Sequence, residues 1–118
     1  MVVAGKKVLV FGSGISGIGA VKLLEENGAD VVLYDGNEKL EIEAVRGKLP
    51  EASSCEIILG ELTDQVISTL DLAVMSPGVP LDIPPVERMQ AAGVPVWGEV
   101  ELAYHMSEGT VLAITGTN

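Results

Sequence analysis

The 118-residue chain has little of what several classes of protein depend on. Its one cysteine, Cys55, cannot form an internal disulfide, so a reducing cytoplasm is the setting that we expect. Seven basic residues stand against seventeen acidic ones, a net charge of −10. We expect no nucleic acid and no membrane as partner, because both surfaces need clustered lysine and arginine. The longest apolar runs have about four or five residues, whereas roughly 20 are needed to span a bilayer.

The chain does have a regular alternation of short apolar runs with segments of helical periodicity. The runs predict strands over residues 7–11, 30–34, 55–59, 72–75, 94–97 and 110–115. The periodic segments predict helices over residues 15–27, 38–49, 63–70, 84–92 and 99–106. The first helix has one apolar stripe, formed by Ile15, Ile18, Val21 and Leu24, and ends before Gly28. The alternation predicts an α/β fold, a Rossmann-like and mainly parallel sheet of about five strands with helices on both faces.

The length of the chain allows one domain, with roughly two-thirds of the surface of the unfolded chain buried. The strand predicted over residues 110–115 is followed by three residues in the sequence, and such an apolar strand ordinarily leads into further structure. We therefore expect residues 1–108 to form one Rossmann-like domain and residues 109–118 to contain the first strand of a second one.

Three glycines form a G-x-G-x-x-G motif directly after the first predicted strand and at the start of the first predicted helix. Gly12 permits the tight turn, Gly14 lets a phosphate approach the backbone, and Gly17 lets the helix pack closely on the strand. The helix N-terminus adds unpaired N–H groups and the positive end of a dipole, which favour an anion. The motif predicts a ligand that bears phosphate, and the alternative is a turn rich in glycine for packing alone.

Two more loops are predicted at the same, carboxyl edge of the sheet. Asp35 follows the second strand, where a carboxylate can accept from a ribose hydroxyl or a base N–H; the alternative is an exposed turn aspartate. Ser76, Pro77 and Gly78 follow the fourth strand, and Gly78 allows a ligand to approach the backbone; a purely structural turn explains them equally well. No lysine or arginine occupies positions 36–38, so a 2′-phosphate has no obvious partner.

No catalytic or metal-binding constellation is recognisable in the sequence. His105 is the only histidine and has no cysteine or aspartate at the spacing of metal ligands. Residues 113–118 are an apolar strand followed by glycine, like the opening of a phosphate-binding loop that stops before its Gly-Lys-Ser/Thr. We therefore predict neither catalytic residues nor a metal site in this chain.

In this order the motifs resemble the Mur ligases, and most closely those that add D-glutamate to UDP-N-acetylmuramoyl-L-alanine. The segments that carry the resemblance extend over the whole chain and are residues 12–17, 35, 76–80, 98–102 and 113–118. The resemblance implies a three-domain cytoplasmic ligase of peptidoglycan synthesis, of which this chain is the N-terminal domain that holds the UDP-muramoyl substrate. In that family ATP, assisted by Mg²⁺, phosphorylates the terminal carboxylate of the substrate, and the amine of D-glutamate then displaces the phosphate.

The resemblance also implies a role for each matching position. Those that would meet the diphosphate or the uridine are Gly14, Ile15, Ser16 and Gly17. Those on the uracil side are Asp35 and Asn37, and those near the diphosphate and sugar are Ser76, Pro77 and Gly78. Those that would begin the ATP loop are Gly116, Thr117 and Asn118. Relatives often have larger polar or basic residues directly after the aspartate, so we expect the uridine end to bind less tightly here. The chain by itself is predicted to bind substrate, to need no cofactor and to catalyse nothing.

Two other functions are compatible with parts of the sequence. The glycine motif also suits an NAD-binding module of an oxidoreductase or a regulatory protein, although such modules need neither the 76–78 loop nor the ATP-loop strand. An interaction domain without activity has only the acidic composition in its favour. Binding of UDP rather than NADH distinguishes the ligase domain from the NAD-binding module.

Overall fold

The computed structural model describes residues 4–49, 53, 55–76, 79, 82–98 and 101–102. Within them, strands alternate with helices along the chain. The strands are β1 (Lys7–Phe11), β2 (Asp30–Asp35), β3 (Glu56–Leu59), β4 (Leu72–Met75) and β5 (Val96–Gly98). The helices are α1 (Ile15–Glu26), α2 (Ile42–Arg46), α3 (Asp64–Ile67) and α4 (Pro84–Ala91).

The five strands form one parallel sheet in the order β3-β2-β1-β4-β5. This confirms the predicted α/β fold with its parallel sheet. β1 and β4 lie side by side in the interior and are buried along nearly their whole length, as continuous apolar runs in a parallel sheet are. The chain builds outwards from β1 to β3 and then returns to place β4 on the other side of β1. In open α/β sheets, ligands bind in the crevice at such a reversal of strand order.

Each face of the sheet carries its own apolar core. One core is built against α1 and α2 and includes Val10, Val21 and Val45. The other is built against α3 and α4 and includes Leu9 and Met89. Neighbouring residues of β1 belong to opposite cores because successive side chains of a strand point to opposite faces. The prediction of helices on both faces is confirmed.

α1 has its predicted bounds to within one residue, and its apolar stripe is buried along all but its first residue. Gly28 follows its C-terminal end and has a φ of 86°, a conformation that glycine adopts without steric cost. Ile18, Val21 and Leu24 are buried, whereas Ile15, predicted on the same stripe, is 94% exposed. Ile15 is exposed because the first helical residue lies past the carboxyl end of β1, where the sheet offers no surface for packing.

α2 is five residues long, although the sequence predicts a helix over residues 38–49. A turn occupies the start of the predicted helix. The Oδ1 atom of Asn37 accepts a hydrogen bond from the N–H of Lys39 at 3.0 Å, and its carbonyl accepts from the N–H of Leu40 at 3.2 Å. An asparagine side chain that bonds to nearby backbone favours a turn over a helix, and this explains the late start of α2.

The other described strands and helices agree with the predicted segments to within a few residues at either end. The strand predicted over residues 110–115 lies outside the described residues, and so does the helix predicted over 99–106 apart from residues 101 and 102, which are helical. The predicted start of a second domain therefore stays a prediction. Among the described residues, no helix is long and apolar enough to cross a membrane.

Candidate functional site

Three loops meet at the carboxyl edge of the sheet, beside the reversal of strand order. Phe11, the last residue of β1, is in register with residues near the ends of β2 and β4. The next positions along the three strands, Gly12, Asp35 and Ser76, therefore lie close together. The N–H of Gly12 donates to the carbonyl of Tyr34 at 2.7 Å, and the N–H of Ser76 donates to the carbonyl of Phe11 at 3.2 Å. The structure thus brings together the first positions of the loops that the sequence predicts as a site.

Gly12 and Gly17 shape the turn between β1 and α1. Gly12 has a φ of 115°, which residues with a side chain rarely adopt. A Cβ on Gly17 would overlap the carbonyl oxygen of Gly12 and come within 2.9 Å of the carbonyl carbon. The first turn of α1 therefore packs directly on the backbone of the loop, which is the structural role that the motif predicts for its first and last glycines.

Gly14 forms the open side of the same loop. It is the N-cap of α1, its φ of −76° suits any residue, and a Cβ there would meet no atom within 4 Å. The N–H of Ile18 makes the first intrahelical hydrogen bond, to the Gly14 carbonyl, which leaves the N–H groups of Ile15, Ser16 and Gly17 without an intrahelical partner. The first turn contains no acidic residue. Open space in front of such a helix start can receive an anion.

Asp35 is engaged on both oxygens of its carboxylate. Oδ2 accepts hydrogen bonds from the N–H of Ser13 at 3.0 Å and from the Ser13 hydroxyl at 2.7 Å. Oδ1 accepts from the N–H of Asn37 at 2.9 Å. Burial raises the pKa of this carboxyl, but the bonds from Asn37 and Ser13 and the charge of Lys48 outweigh it, so the pKa lies below its ordinary value. Asp35 therefore ties the glycine loop to the turn after β2 as an ionised carboxylate.

Ser13 and Lys48 also lie at this site, although no sequence motif predicts a role for either of them. Ser13 is only 5% exposed, and its carbonyl oxygen lies 3.5 Å from the ammonium nitrogen of Lys48. A cation thus stands beside the glycine loop of an acidic chain. Neither residue leaves a signal in the sequence, because Ser13 fills an unspecified position of the motif and Lys48 follows α2, far along the chain.

Of the predicted 76–78 loop, the structure describes Ser76. Its Oγ atom is buried, has no hydrogen-bond partner among the described residues, and would lie 2.7 Å from a Cβ on Gly12. The remaining predicted site residues lie outside the described residues, and they are Pro77, Gly78, Gly116, Thr117 and Asn118. The ligand contacts predicted for all the site residues stay predictions.

Comparison with known families identifies the chain. The family model described as the N-terminal domain of MurD-like Mur ligases matches residues 6–98. The chain belongs to this family. The MurD-like domain is 55% identical, over 96% of its length, to the UDP-N-acetylmuramoylalanine–D-glutamate ligase of Lachnospira eligens. It is 51% identical, over 97% of its length, to the ligase of that name from Lachnoclostridium phytofermentans. The MurD-like domain spans 25% of the length of each of these two relatives.

Solved structures share the fold of the MurD-like domain at low sequence identity. The shikimate dehydrogenase of Aquifex aeolicus is 17% identical and has a TM-score of 0.55, covering 88% of the domain and 46% of the dehydrogenase chain. The dehydroquinate dehydratase and shikimate dehydrogenase of S. pombe is 14% identical with a TM-score of 0.60, covering 98% of the domain and 28% of that chain. Likeness at these identities establishes the Rossmann-like sheet alone, because one fold serves many functions.

Proposed function

We propose that the MurD-like domain binds UDP-N-acetylmuramoyl-L-alanine and presents it, within a longer ligase of peptidoglycan synthesis, for the addition of D-glutamate. The observation that carries this proposal is the 55% identity, over 96% of the chain, to a ligase named for that reaction. The open turn at Gly14, beside the reversal of strand order, supports the diphosphate as the group that meets this edge of the sheet.

A diphosphate can bind here although the chain has a net charge of −10. Exposed charges beyond the Debye length, about 8 Å at physiological salt, are largely screened. At the loop, the helix N-terminus contributes about 0.3–1 kcal/mol for each anionic charge, and each hydrogen bond from an N–H group to a charged oxygen contributes about 1.5–3 kcal/mol. Lys48, 3.5 Å from the Ser13 carbonyl oxygen, adds a cation to the same loop. The local attraction therefore exceeds the distant repulsion.

We place the uridine end of the ligand beside the turn after β2. Ile15 offers an apolar side chain, 94% exposed, for contact with the base or the ribose. The carboxylate of Asp35 accepts three hydrogen bonds, so about one of its four acceptor positions is left for a base N–H. Oδ1 of Asn37 accepts from the N–H of Lys39 with one of its two lone pairs, so the second lone pair and the amide nitrogen are what Asn37 can offer a base.

In the proposed reaction of the whole ligase, the terminal phosphoryl group passes from ATP to the substrate carboxylate and ADP leaves. The amine of D-glutamate then attacks the acyl phosphate, and phosphate leaves as the amide forms. The share of this chain is to bind and orient the UDP end. It contains no Gly-Lys-Ser/Thr segment, and its described residues include no group of three or more His, Cys, Asp or Glu side chains that could hold Mg²⁺.

We expect the 118-residue chain, given ATP, Mg²⁺ and both substrates, to release no more phosphate than a control without protein. Turnover above that control would contradict this division of roles.

The direct test of ligand class is titration of the ¹⁵N-labelled chain with UDP and, separately, with NADH. UDP should produce saturable amide shifts centred on the glycine loop. NADH should produce none, because the relatives that are 55% and 51% identical to the chain are named for a UDP-linked substrate and not for a dehydrogenase. Saturable shifts with NADH and none with UDP would contradict the proposed ligase domain and would indicate an NAD-binding module.

A further inference from the structure

Ser13 is a buried polar residue that makes two hydrogen bonds to one oxygen atom, and the role inferred for it rests on the proposed function. Its N–H and its hydroxyl both donate to Oδ2 of Asp35, at 3.0 and 2.7 Å. The residue lies between Gly12 and Gly14, so these bonds fasten the middle of the glycine loop. A buried hydroxyl that bonds a carboxylate stabilises the ionised form, and its loss leaves that charge less well satisfied.

The carboxylate of Asp35 joins two separate loops. Oδ2 holds the loop after β1 through Ser13, and Oδ1 holds the turn after β2 through the N–H of Asn37 at 2.9 Å. The start of α1 comes directly after the fastened loop, since Gly14 is its N-cap. The position of the N–H groups in the first turn of α1 therefore depends on the hydrogen bonds through which Asp35 joins the two loops.

We propose that Ser13 is a positioning residue of the nucleotide site. Its N–H and hydroxyl hold the ionised carboxylate of Asp35, and this carboxylate fixes the Gly12–Gly14 turn in the form that leaves the start of α1 open to a diphosphate. Ser13 acts on the ligand through Asp35 and the loop, and it needs no contact with the ligand itself.

The bonds to Asp35 make the position of the loop depend on pH. The charge that acts on Asp35 is the ammonium of Lys48. The neighbouring phenol of Tyr34 has its own pKa raised by burial and by the Asp35 charge. That phenol stays neutral in acid, and Asp35 is the carboxyl of this cluster that titrates there. The pKa of Asp35 is lower in the folded chain than its ordinary value of about 3.9. The hydrogen bonds from Ser13 are therefore complete above that ordinary pKa, and they are lost as the pH falls through the pKa of the folded chain. Without the Ser13 hydroxyl the pKa of Asp35 rises, and the loss begins at higher pH.

The test compares the wild-type chain with Ser13→Ala, using UDP-N-acetylglucosamine as the probe because neither of its phosphates has a second ionisation. Affinity is measured by calorimetric titration from pH 7.5 downwards. We expect Ser13→Ala to bind about three- to tenfold more weakly at pH 7.5 and to lose affinity in acid at a midpoint about one pH unit higher. Ser68→Ala is the matched control, since the Ser68 hydroxyl donates to the carbonyl of Gln65 at the end of α3, where the chain leads into the start of β4. It should leave affinity and midpoint unchanged.

The outcomes distinguish failure of the Ser13 role from failure of the proposed function. A wild-type chain that binds neither UDP nor the UDP-sugar at pH 7.5 counts against the proposed function. A wild-type chain that binds, with Ser13→Ala matching it in affinity and acid midpoint, overturns the role of Ser13 alone. If Ser13→Ala does not fold, the amide resonances of Ser13 and Asn37 in the wild type decide instead. They should titrate together with the loss of UDP-sugar affinity, and separate midpoints would overturn the inference.

Discussion

Gly17→Ala is expected to destabilise the domain by about 3 kcal/mol or more, because the added methyl group meets backbone that cannot move aside. A Cβ at this position overlaps the carbonyl oxygen of Gly12 and comes within 3.4 Å of Oγ of Ser76. The overlap is removed only if α1 moves away from the loop, and this movement breaks the close packing of the helix on β1. Urea unfolding followed by circular dichroism measures the change in the free energy of unfolding.

Gly19→Ala is the matched control for this prediction. Gly19 lies in the same helix, is exposed, and a Cβ there would meet no atom within 4 Å. Alanine in an exposed helix interior is more favourable than glycine by about 0.5–1 kcal/mol, so we expect this variant to be slightly more stable than the parent. If the two variants unfold at the same urea concentration, the close approach at Gly17 does not constrain the fold.

Gly14→Val is expected to weaken UDP binding tenfold or more, about 1.4 kcal/mol, while the domain stays folded. The φ of −76° at Gly14 suits valine, and a Cβ there enters open space. That space lies before the start of α1, where we place the diphosphate, so the side chain competes with the ligand and not with the protein. Calorimetric titration of UDP gives the affinity, and circular dichroism confirms that the variant is folded.

Two further variants test whether the diphosphate occupies the space at Gly14. Gly14→Ala should have an intermediate effect, because its side chain fills less of the space. Asp35→Ala should weaken binding less than Gly14→Val, since a loosened loop can still receive the diphosphate whereas an occupied space cannot. A folded Gly14→Val variant that binds UDP as tightly as the parent would show that the diphosphate lies elsewhere.

The sheet could be predicted from local sequence to a large extent. β1 and β4 have the bounds that their apolar runs predict, because a strand that is buried on both faces must be apolar throughout. α1 ends where Gly28 predicts, since few other residues accept a φ of 86°. The alternation of strands and helices predicted the parallel arrangement, because a parallel pair needs a crossover and the helix supplies it.

Ile15 and α2 mark the limits of local patterns. The spacing of Ile15 matches that of the buried residues of α1, but periodicity does not reveal that the first turn lies past the end of the sheet. The composition of residues 38–49 suits a helix. The side chain of Asn37, however, accepts a hydrogen bond from the N–H of Lys39 and holds the first of these residues in a turn. The end of the sheet outweighs the helical periodicity at Ile15, and the side chain of Asn37 outweighs it at the start of α2.

By itself, the sequence determined the fold class and predicted which positions meet at the candidate site, since a glycine motif after one strand and an aspartate after the next lie at the carboxyl edge of the same parallel sheet. The tertiary structure alone decided that Asp35 holds Ser13 and Asn37, and that Lys48 stands beside the loop. The physical reason is that these contacts depend on strand register and on the path of the backbone through each loop. No local pattern of apolar and polar residues specifies either.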